Sequence, residues 1–404
     1  MSHGMSGLFS ILMPETDIKI SNKAEKMEIK METKIETQIL ILEDYKKSGV
    51  ISAADAEKIK IAADIIRNGG LAAIPTETVY GLAGNALMKE ASKKIYAAKG
   101  RPSDNPLIVH ISDISELGSI VKEIPEKAAL LAEHFWPGPM TMIFKKADIV
   151  PYETTGGLDT VAVRFPSHPV AMMIIREAGV PVAAPSANIS GRPSTTSGEH
   201  CIEDLSGRVD AIVDGGSSDI GLESTIIDVT GDTPQLLRPG AVTKEMLENV
   251  LGVSVTEDIA LKGPLAEGER PKAPGMKYRH YAPKAPMILV TAHSKEDVCG
   301  ISKKILELIK TKEAENKKTA LLCSEECFNE IKNELDKLAE SIDIKITGSR
   351  DDVKGIAHGL FEYLREFDSD GIGYIVAEGY SEEELGQAVM NRLKKAAAWQ
   401  LIYV

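Results

Sequence analysis

Between residues 252 and 286 the regular rhythm of this chain stops, and the break divides what lies on either side. Pro264, Pro271, Pro274, Pro283 and Pro286 fall within it, with Gly263, Gly268 and Gly275. Proline fixes φ and removes an amide donor, so neither a long helix nor a central strand can run through such a stretch. A segment of that length without periodic structure serves as a tether or as a lid. The 404 residues exceed what one small core accommodates. The expected organisation is an N-terminal extension at 1–50, a larger domain at 51–251, a linker and lid at 252–286 and a smaller domain at 287–404.

Ahead of the break, short apolar runs alternate with helical stripes. The helix from Ala53 to Asn68 places Ile59, Ala62, Ile65 and Ile66 on one face and stops at Gly69-Gly70. Strands are expected at 71–75, 107–111, 140–144, 160–165, 180–184, 211–213, 224–229 and 235–237, with helices at 89–98, 125–135, 168–178 and 243–251. Residues 224 to 237 hold two strands without a helix between them, so the sheet is expected to be mixed. After the break, strands at 287–290, 319–323, 342–346 and 372–376 alternate with helices bearing apolar stripes such as Val298, Ile301, Ile305 and Leu308. That is a small parallel α/β domain. Residues 21–47 alternate Lys and Glu around isolated Met and Ile, the composition of a solvated helix or a disordered lead-in.

Bulk properties narrow the partners. A net charge of −13 disfavours broad attraction to tRNA or DNA, leaving direct tRNA binding weak or absent. Aromatic residues make up only 5% of the chain, too few for extended base-stacking platforms. The four cysteines, Cys201, Cys299, Cys323 and Cys327, form no C-x-x-C pair and fit a reducing cytoplasm as buried, inert thiols. The N-terminus lacks a basic leader, and no run reaches the roughly 20 apolar residues of a membrane span. A soluble, cytoplasmic protein is expected, with no membrane partner.

Several polar groups sit where strands end. In Thr160-Val161-Ala162-Val163-Arg164, alternation puts Thr160, Ala162 and Arg164 on one face, so a hydroxyl and a guanidinium flank a small residue. Arginine grips carboxylate or phosphate through two parallel bonds; a surface arginine on an edge strand is the alternative. An extended Ala184-Pro185-Ser186-Ala187-Asn188 would project Ala184, Ser186 and Asn188 together just after a buried strand, where α/β proteins place ligand loops. Lys99-Gly100-Arg101 sets two cations around a glycine ahead of Asn105 and His110. Thr76, Thr78 and Tyr80 follow the first strand, Glu223-Ser224-Thr225 opens a later one, and Arg238 closes another. The chain contains neither G-x-x-x-x-G-K-[ST] nor G-x-G-x-x-G. No nucleophilic triad or metal-ligand spacing is evident, so hydroxyls, amides and cations remain, suited to positioning and charge stabilisation in phosphoryl or nucleotidyl transfer. The linker gathers Lys277, Tyr278, Arg279, His280 and Tyr281 between prolines, a composition that suits a cap over an anionic nucleotide.

Taken in order, P-T-E-T-V-Y-G-L at 75–82, K-G-R-P-S-D-N-P-L-I-V-H at 99–110, W-P-G-P-M-T at 136–141, T-V-A-V-R at 160–164, A-P-S-A-N-I-S-G-R-P-S at 184–194, E-S-T-I-I-D at 223–228 and L-L-R-P-G at 236–240 resemble the YrdC-like threonylcarbamoyl-AMP synthases. P-G-M-K-Y-R-H-Y-A-P at 274–283 and a second α/β domain ending in Gly386 to Arg392 resemble the longer, two-domain form. The resemblance covers about residues 55–400 and leaves 1–50 outside. It implies a YrdC-like twisted mixed-sheet catalytic domain followed by a smaller Rossmann-like parallel α/β domain. It implies a nucleotidyltransferase that makes threonylcarbamoyl-AMP and pyrophosphate from L-threonine, bicarbonate and ATP. A downstream threonylcarbamoyl transferase complex would then modify tRNA. By the same resemblance Thr78, His110, Arg164, Ala184 and Ser224 would bind threonine. Lys99, Arg101, Asn105, Thr160, Ser186, Asn188, Ser194, Arg238 and Tyr281 would bind ATP, with Lys99 and Arg101 catalytic. Mg²⁺ would be carried with ATP, and no tightly bound protein metal site is expected.

Two other readings compete. Carbamoyl transfer of the hydrogenase-maturation kind is expected to bring an acylphosphatase domain and cysteine-rich zinc fingers, and the four scattered cysteines do not supply the fingers. An RNA-binding module needs a basic concave face, which the net charge disfavours.

Overall fold

The computed structural model describes residues 35–263, 271–276, 280–292, 297–338, 342–368 and 371–404. The expectations for residues 1–34, and for Lys277, Tyr278 and Arg279, lie outside the described residues.

Eleven strands build the main sheet: β1 (Gln38–Ile41), β2 (Ala72–Ile74), β3 (Gly81–Asn85), β4 (Ile108–His110), β5 (Met140–Lys145), β6 (Thr160–Arg164), β7 (Val182–Ala183), β8 (Ala211–Asp214), β9 (Thr225–Asp228), β10 (Gln235–Arg238) and β11 (Thr256–Glu257). Their order across the sheet is β1-β8-β2-β3-β7-β4-β6-β5-β9-β10-β11. The sheet is mixed: β4 and β6 run parallel, while β5–β6, β9–β10 and β4–β7 are antiparallel. A second sheet holds β12 (Met287–Thr291), β13 (Thr319–Cys323), β14 (Ile342–Ile346), β15 (Tyr374–Glu378) and β16 (Leu401–Tyr403) in the order β14-β13-β15-β12-β16. All its pairings are parallel. Both sheet types match the sequence expectation.

The ordered body begins earlier than position 51. Residues 38–41 form an edge strand parallel to β8, with Gln38 opposite Ala211. Leu40 and Leu42 enter the core formed by Ile59, Ile66 and Val213. The Lys/Glu alternation extending to residue 47 hides this strand, because only one face of an edge strand needs apolar residues. The expected structureless break also starts too soon: β11 pairs with β10, and a single 3₁₀ turn follows at Ile259–Leu261.

Two apolar layers cover the main sheet. Leu82, Val109, Met142, Val163, Ile212 and Ile227 belong to one, beneath helices Lys89–Lys99 and Glu126–Phe135. Ile59, Ile66, Ile74, Ala83 and Ile174 belong to the other, where helix Ala53–Arg67 meets helix Pro169–Ala178. The Ser52 side chain accepts from the Asp55 amide at 3.1 Å and caps the first of these helices.

The second domain shares a core with the first. Val79 and Leu222 of the larger domain, Tyr281 of the linker and Leu360, Phe361, Val389 and Leu393 of the smaller domain form one buried cluster. Gly221, at φ +79°, makes the close approach: a Cβ there would stand 2.5 Å from the His358 carbonyl oxygen. Among the described residues no helix is long and apolar enough to cross a membrane.

Candidate active site

Strand ends from the middle of the main sheet converge on one cleft, which the linker covers. The cleft is polar and half-open, bounded by strand ends and by Pro274, Gly275, His280 and Tyr281 of the linker. Its lining includes Thr78, Arg101, His110, Arg164, Ala184, Ser186, Asn188, Ser194, Ser224, Arg238 and Tyr281, all expected from the sequence. Convergence has a topological cause. β4 and β6 are parallel neighbours with His110 opposite Arg164, so both side chains leave the sheet at the same end. An isolated bridge ties Gly81 to Ser186, and a Cβ on Gly81 would stand 3.1 Å from the Ala184 Cβ. The small residues at 81 and 184 let that loop lie close to the start of β3.

At one end of the cleft Arg164 is buried between two partners. Its Nη1 donates to the Thr78 hydroxyl at 2.7 Å, and its Nη2 lies 2.7 Å from Glu77 Oε1. The Nη2 contact is ionic, without a well-directed hydrogen bond. Burial pushes the Glu77 carboxyl up, but Arg164 and the Ser167 amide outweigh it and hold it below the ordinary value. Burial first, and then Arg164, push His110 down to about 3, so its imidazole is neutral at physiological pH. The Ser224 hydroxyl bonds Thr141 Oγ1 at 2.8 Å and accepts from Arg238 Nη2 at 3.2 Å. These groups form a compact polar end centred on Arg164, with Arg238 reaching it through Ser224.

The other end is cationic. Arg101 donates to the carbonyls of Asn105 and Pro106 at 3.3 and 3.1 Å and has no ion pair among the described residues. Burial pushes both Arg101 and Arg238 down to about 10, the cost of holding guanidinium groups away from water. Tyr281, at φ +62°, is buried and stacks on Phe361 with ring centroids 5.2 Å apart. His280 lines the same wall, and burial followed by Arg101 keeps it well below the ordinary histidine value. Buried cations that outnumber the carboxylates described beside them are what a polyphosphate neutralises.

Three expected residues do not line the cleft. Lys99 is buried behind it, its ammonium donating to the carbonyls of Ser186 and Asn188. Lysine reaches these carbonyls from the end of helix Lys89–Lys99 and so braces the Ser186–Asn188 loop. Asn105 is buried beside the cleft and contributes its carbonyl to Arg101. Thr160 shares the face of Arg164 but starts the strand, about 13 Å away at the rise of an extended chain.

Sequence reasoning passed over Glu77, the Arg164 partner, although it sits inside the quoted P-T-E-T-V-Y-G-L run. It also gave no role to His280 individually or to Arg392, which reaches Glu223 from the second domain. Only the linker composition and the Gly386–Arg392 run pointed toward them. Among the described residues no group of three or more His, Cys, Asp or Glu side chains is arranged to hold a metal ion.

Lys395, from the same helix as Arg392, donates to the Gly275 carbonyl at 2.9 Å and thereby anchors the linker. Burial first, then Arg392 and Arg238, push it down to about 7. The unfolded chain binds this proton up to about pH 10.4 and the folded chain releases it near 7, so stability rises with pH between those values. The slope from this group is at most about 1.4 kcal/mol per pH unit. Denaturant unfolding at pH 7.5 and 9.5 should show a smaller rise for Lys395→Met than for the parent; equal rises would contradict the assignment.

A family model described as "Telomere recombination" matches residues 64–240, and one described as "Threonylcarbamoyl-AMP synthase, C-terminal domain" matches residues 242–398. A threonylcarbamoyl-AMP synthase of Pyrococcus abyssi is 47% identical over 347 residues, covering 86% of this chain and 96% of the relative. One from Bacillus subtilis is 44% identical over 346 residues, covering 85% and 94%. The solved structure of P. abyssi Sua5 complexed with L-threonine matches with a TM-score of 0.80 at 44% identity, covering 91% of this chain and 99% of that one. With both domain models matched in order and relatives aligned across nearly their whole length, this chain belongs to the threonylcarbamoyl-AMP synthase family, in its two-domain form.

Proposed function

We propose that this protein is an L-threonylcarbamoyladenylate synthase, a nucleotidyltransferase. The reading rests on one observation above all: a guanidinium-centred pocket at Arg164 and a carboxylate-poor cationic pocket at Arg101 and Arg238 open into the same cleft. An amino acid and a nucleoside triphosphate can therefore meet without crossing solvent. Threonine would occupy the end formed by Thr78, His110, Arg164, Ala184 and Ser224, its carboxylate on Arg164. ATP would lie along Arg101, Ser186, Asn188, Ser194, Arg238 and Tyr281.

The threonine amine takes up the carbon of bicarbonate with loss of water, giving a carbamate. A carbamate oxygen then attacks the α-phosphorus of ATP, the α–β bridging bond breaks, and pyrophosphate leaves with the bond's electron pair. Arg101 and Arg238 stabilise charge that grows on the departing phosphates. His110, neutral beside Arg164, adds no second positive charge to the threonine end. Lys99 acts through the backbone of the Ser186–Asn188 loop. Mg²⁺ would arrive with ATP; among the described residues the one carboxylate lining the cleft, Glu223, is already engaged by Ser194 and Arg392. The product would pass to a cytoplasmic threonylcarbamoyl transferase complex that modifies tRNA.

The purified protein, given ATP, L-threonine and bicarbonate, should release pyrophosphate only when all three are present. Release that ignores either threonine or bicarbonate would refute the reading.

A further inference from the structure

The side chain of Arg392 is among the largest that are fully buried, and it belongs to the second domain. It lies on helix Leu385–Ala396 and reaches into the first domain at two points. Its Nε donates to Glu223 Oε2 at 3.0 Å and its Nη2 to the Glu223 carbonyl at 3.3 Å. Its Nη1 donates to the Pro239 carbonyl at 2.6 Å. The guanidinium carbon also stands 5.8 Å from the centre of the Tyr281 ring.

Glu223 and Pro239 are the two feet of one hairpin. Glu223 precedes β9 and Pro239 follows β10, and the two strands pair antiparallel. From the same feet Ser224 and Arg238 project into the cleft. Arg238 Nε in turn donates to the Ser224 carbonyl at 3.0 Å, so the feet are bonded across as well as from behind. The other Glu223 oxygen accepts from Ser194, a further lining residue. One guanidinium thus fixes the origin of three cleft groups.

It also sets the local charge. Glu223 lines a cleft whose proposed ligand is a polyphosphate. An unpaired carboxylate there would repel it. Burial alone would raise the Glu223 carboxyl, but Arg392, then Arg238 and the Ser194 hydroxyl, hold it below the ordinary value and therefore ionised. Arg392 offsets that negative charge inside a dry junction, where removing one partner of an ion pair is costly.

We infer that Arg392 is a positioning residue for the reaction, clamping the feet of the β9–β10 hairpin and neutralising Glu223 so that Ser194 and Arg238 present a phosphate-compatible wall next to Ser224 of the threonine end. Arg392 touches no substrate itself. The inference rests on the proposed synthase reading for its ligand, and a binding experiment separates the two. Binding of a non-hydrolysable ATP analogue, followed by calorimetry, requires no turnover.

Arg392→Met should weaken analogue binding by about 100-fold, the scale for stranding one charge of a buried pair. Glu223→Gln/Arg392→Met removes the stranded charge and should regain at least about tenfold of that loss. A residue that merely held the fold would show no such recovery, because the second change would add its own loss. Arg392→Lys keeps the charge but not the fork, and should fold while binding about tenfold more weakly. It serves as the measurement should Arg392→Met not fold. Parent-like binding by Arg392→Lys and Arg392→Met, or a double variant no better than Arg392→Met, overturns the inference. Failure of the parent to release pyrophosphate, with analogue binding and its Arg392 dependence intact, overturns the synthase reading alone.

Discussion

Arg164→Ala is expected to raise the threonine KM by at least about 100-fold, with a much smaller effect on ATP binding. The guanidinium lies between Thr78 and Glu77 at the compact end of the cleft, and it is held from three sides. Thr78 Oγ1 and the Gly138 carbonyl accept from it, and Glu77 lies 2.7 Å away. That fixed orientation leaves little to reorganise when a carboxylate arrives. Alanine also strands the Glu77 carboxylate, a second effect that lowers stability. Glu77→Gln/Arg164→Ala separates the two: thermal stability should recover while threonine use does not. Unaltered threonine dependence in a folded Arg164→Ala protein would contradict the assignment.

Arg101→Ala should lower kcat/KM for ATP by about 10²- to 10³-fold, the scale for deleting one preorganised charge-stabilising donor. Among the described residues Arg101 donates to carbonyls and forms no ion pair, which leaves its charge for a ligand. Burial pushes Arg101 and Arg238 alike down to about 10, so an arriving phosphate would offset the cost of keeping these charges away from water. Threonine affinity, measured separately by calorimetry, should change little, because Arg101 does not bond the Arg164 end. Equal losses for both substrates would indicate collapse of the cleft instead of loss of phosphate contacts.

Much of this site was legible because strand alternation is a strict rule. In Thr160–Arg164 it put the guanidinium on a defined face, and the parallel partner β4 then placed His110 beside it. Thr160, on the same face, stands about 13 Å of strand from Arg164 and outside the cleft lining, a separation that alternation alone does not report. Lys99 shows a different limit. A cation next to a glycine reads as a ligand group, yet two loop carbonyls nearby in space and far in sequence claimed its ammonium.

The fold was read less evenly. β3, Gly-Leu-Ala-Gly-Asn, has almost no strand signature because its small residues serve close packing against Ile95 and Ala184. β1 is an edge strand with exposed Ile39 and Ile41, and β16 is a three-residue strand that becomes visible only once β12 is in place to pair with it. The apolar stripes of the second domain gave the helices Val298–Ala314, Glu325–Leu335 and Val353–Glu366, but not Leu385–Ala396, and nothing in periodicity reveals that Arg392 leaves its own domain. An inward-pointing arginine on an amphipathic helix is readable only when the partner surface is known.

The central claim is that one cleft joins an amino acid to a nucleotide through a carbon drawn from bicarbonate. Mass spectrometry of the reaction with ¹³C-bicarbonate, ¹⁵N-threonine and ATP tests it most directly. A single product carrying both labels on AMP, formed together with pyrophosphate, is the predicted result. AMP and pyrophosphate without a doubly labelled adenylate, or threonyl-AMP lacking ¹³C, would contradict it.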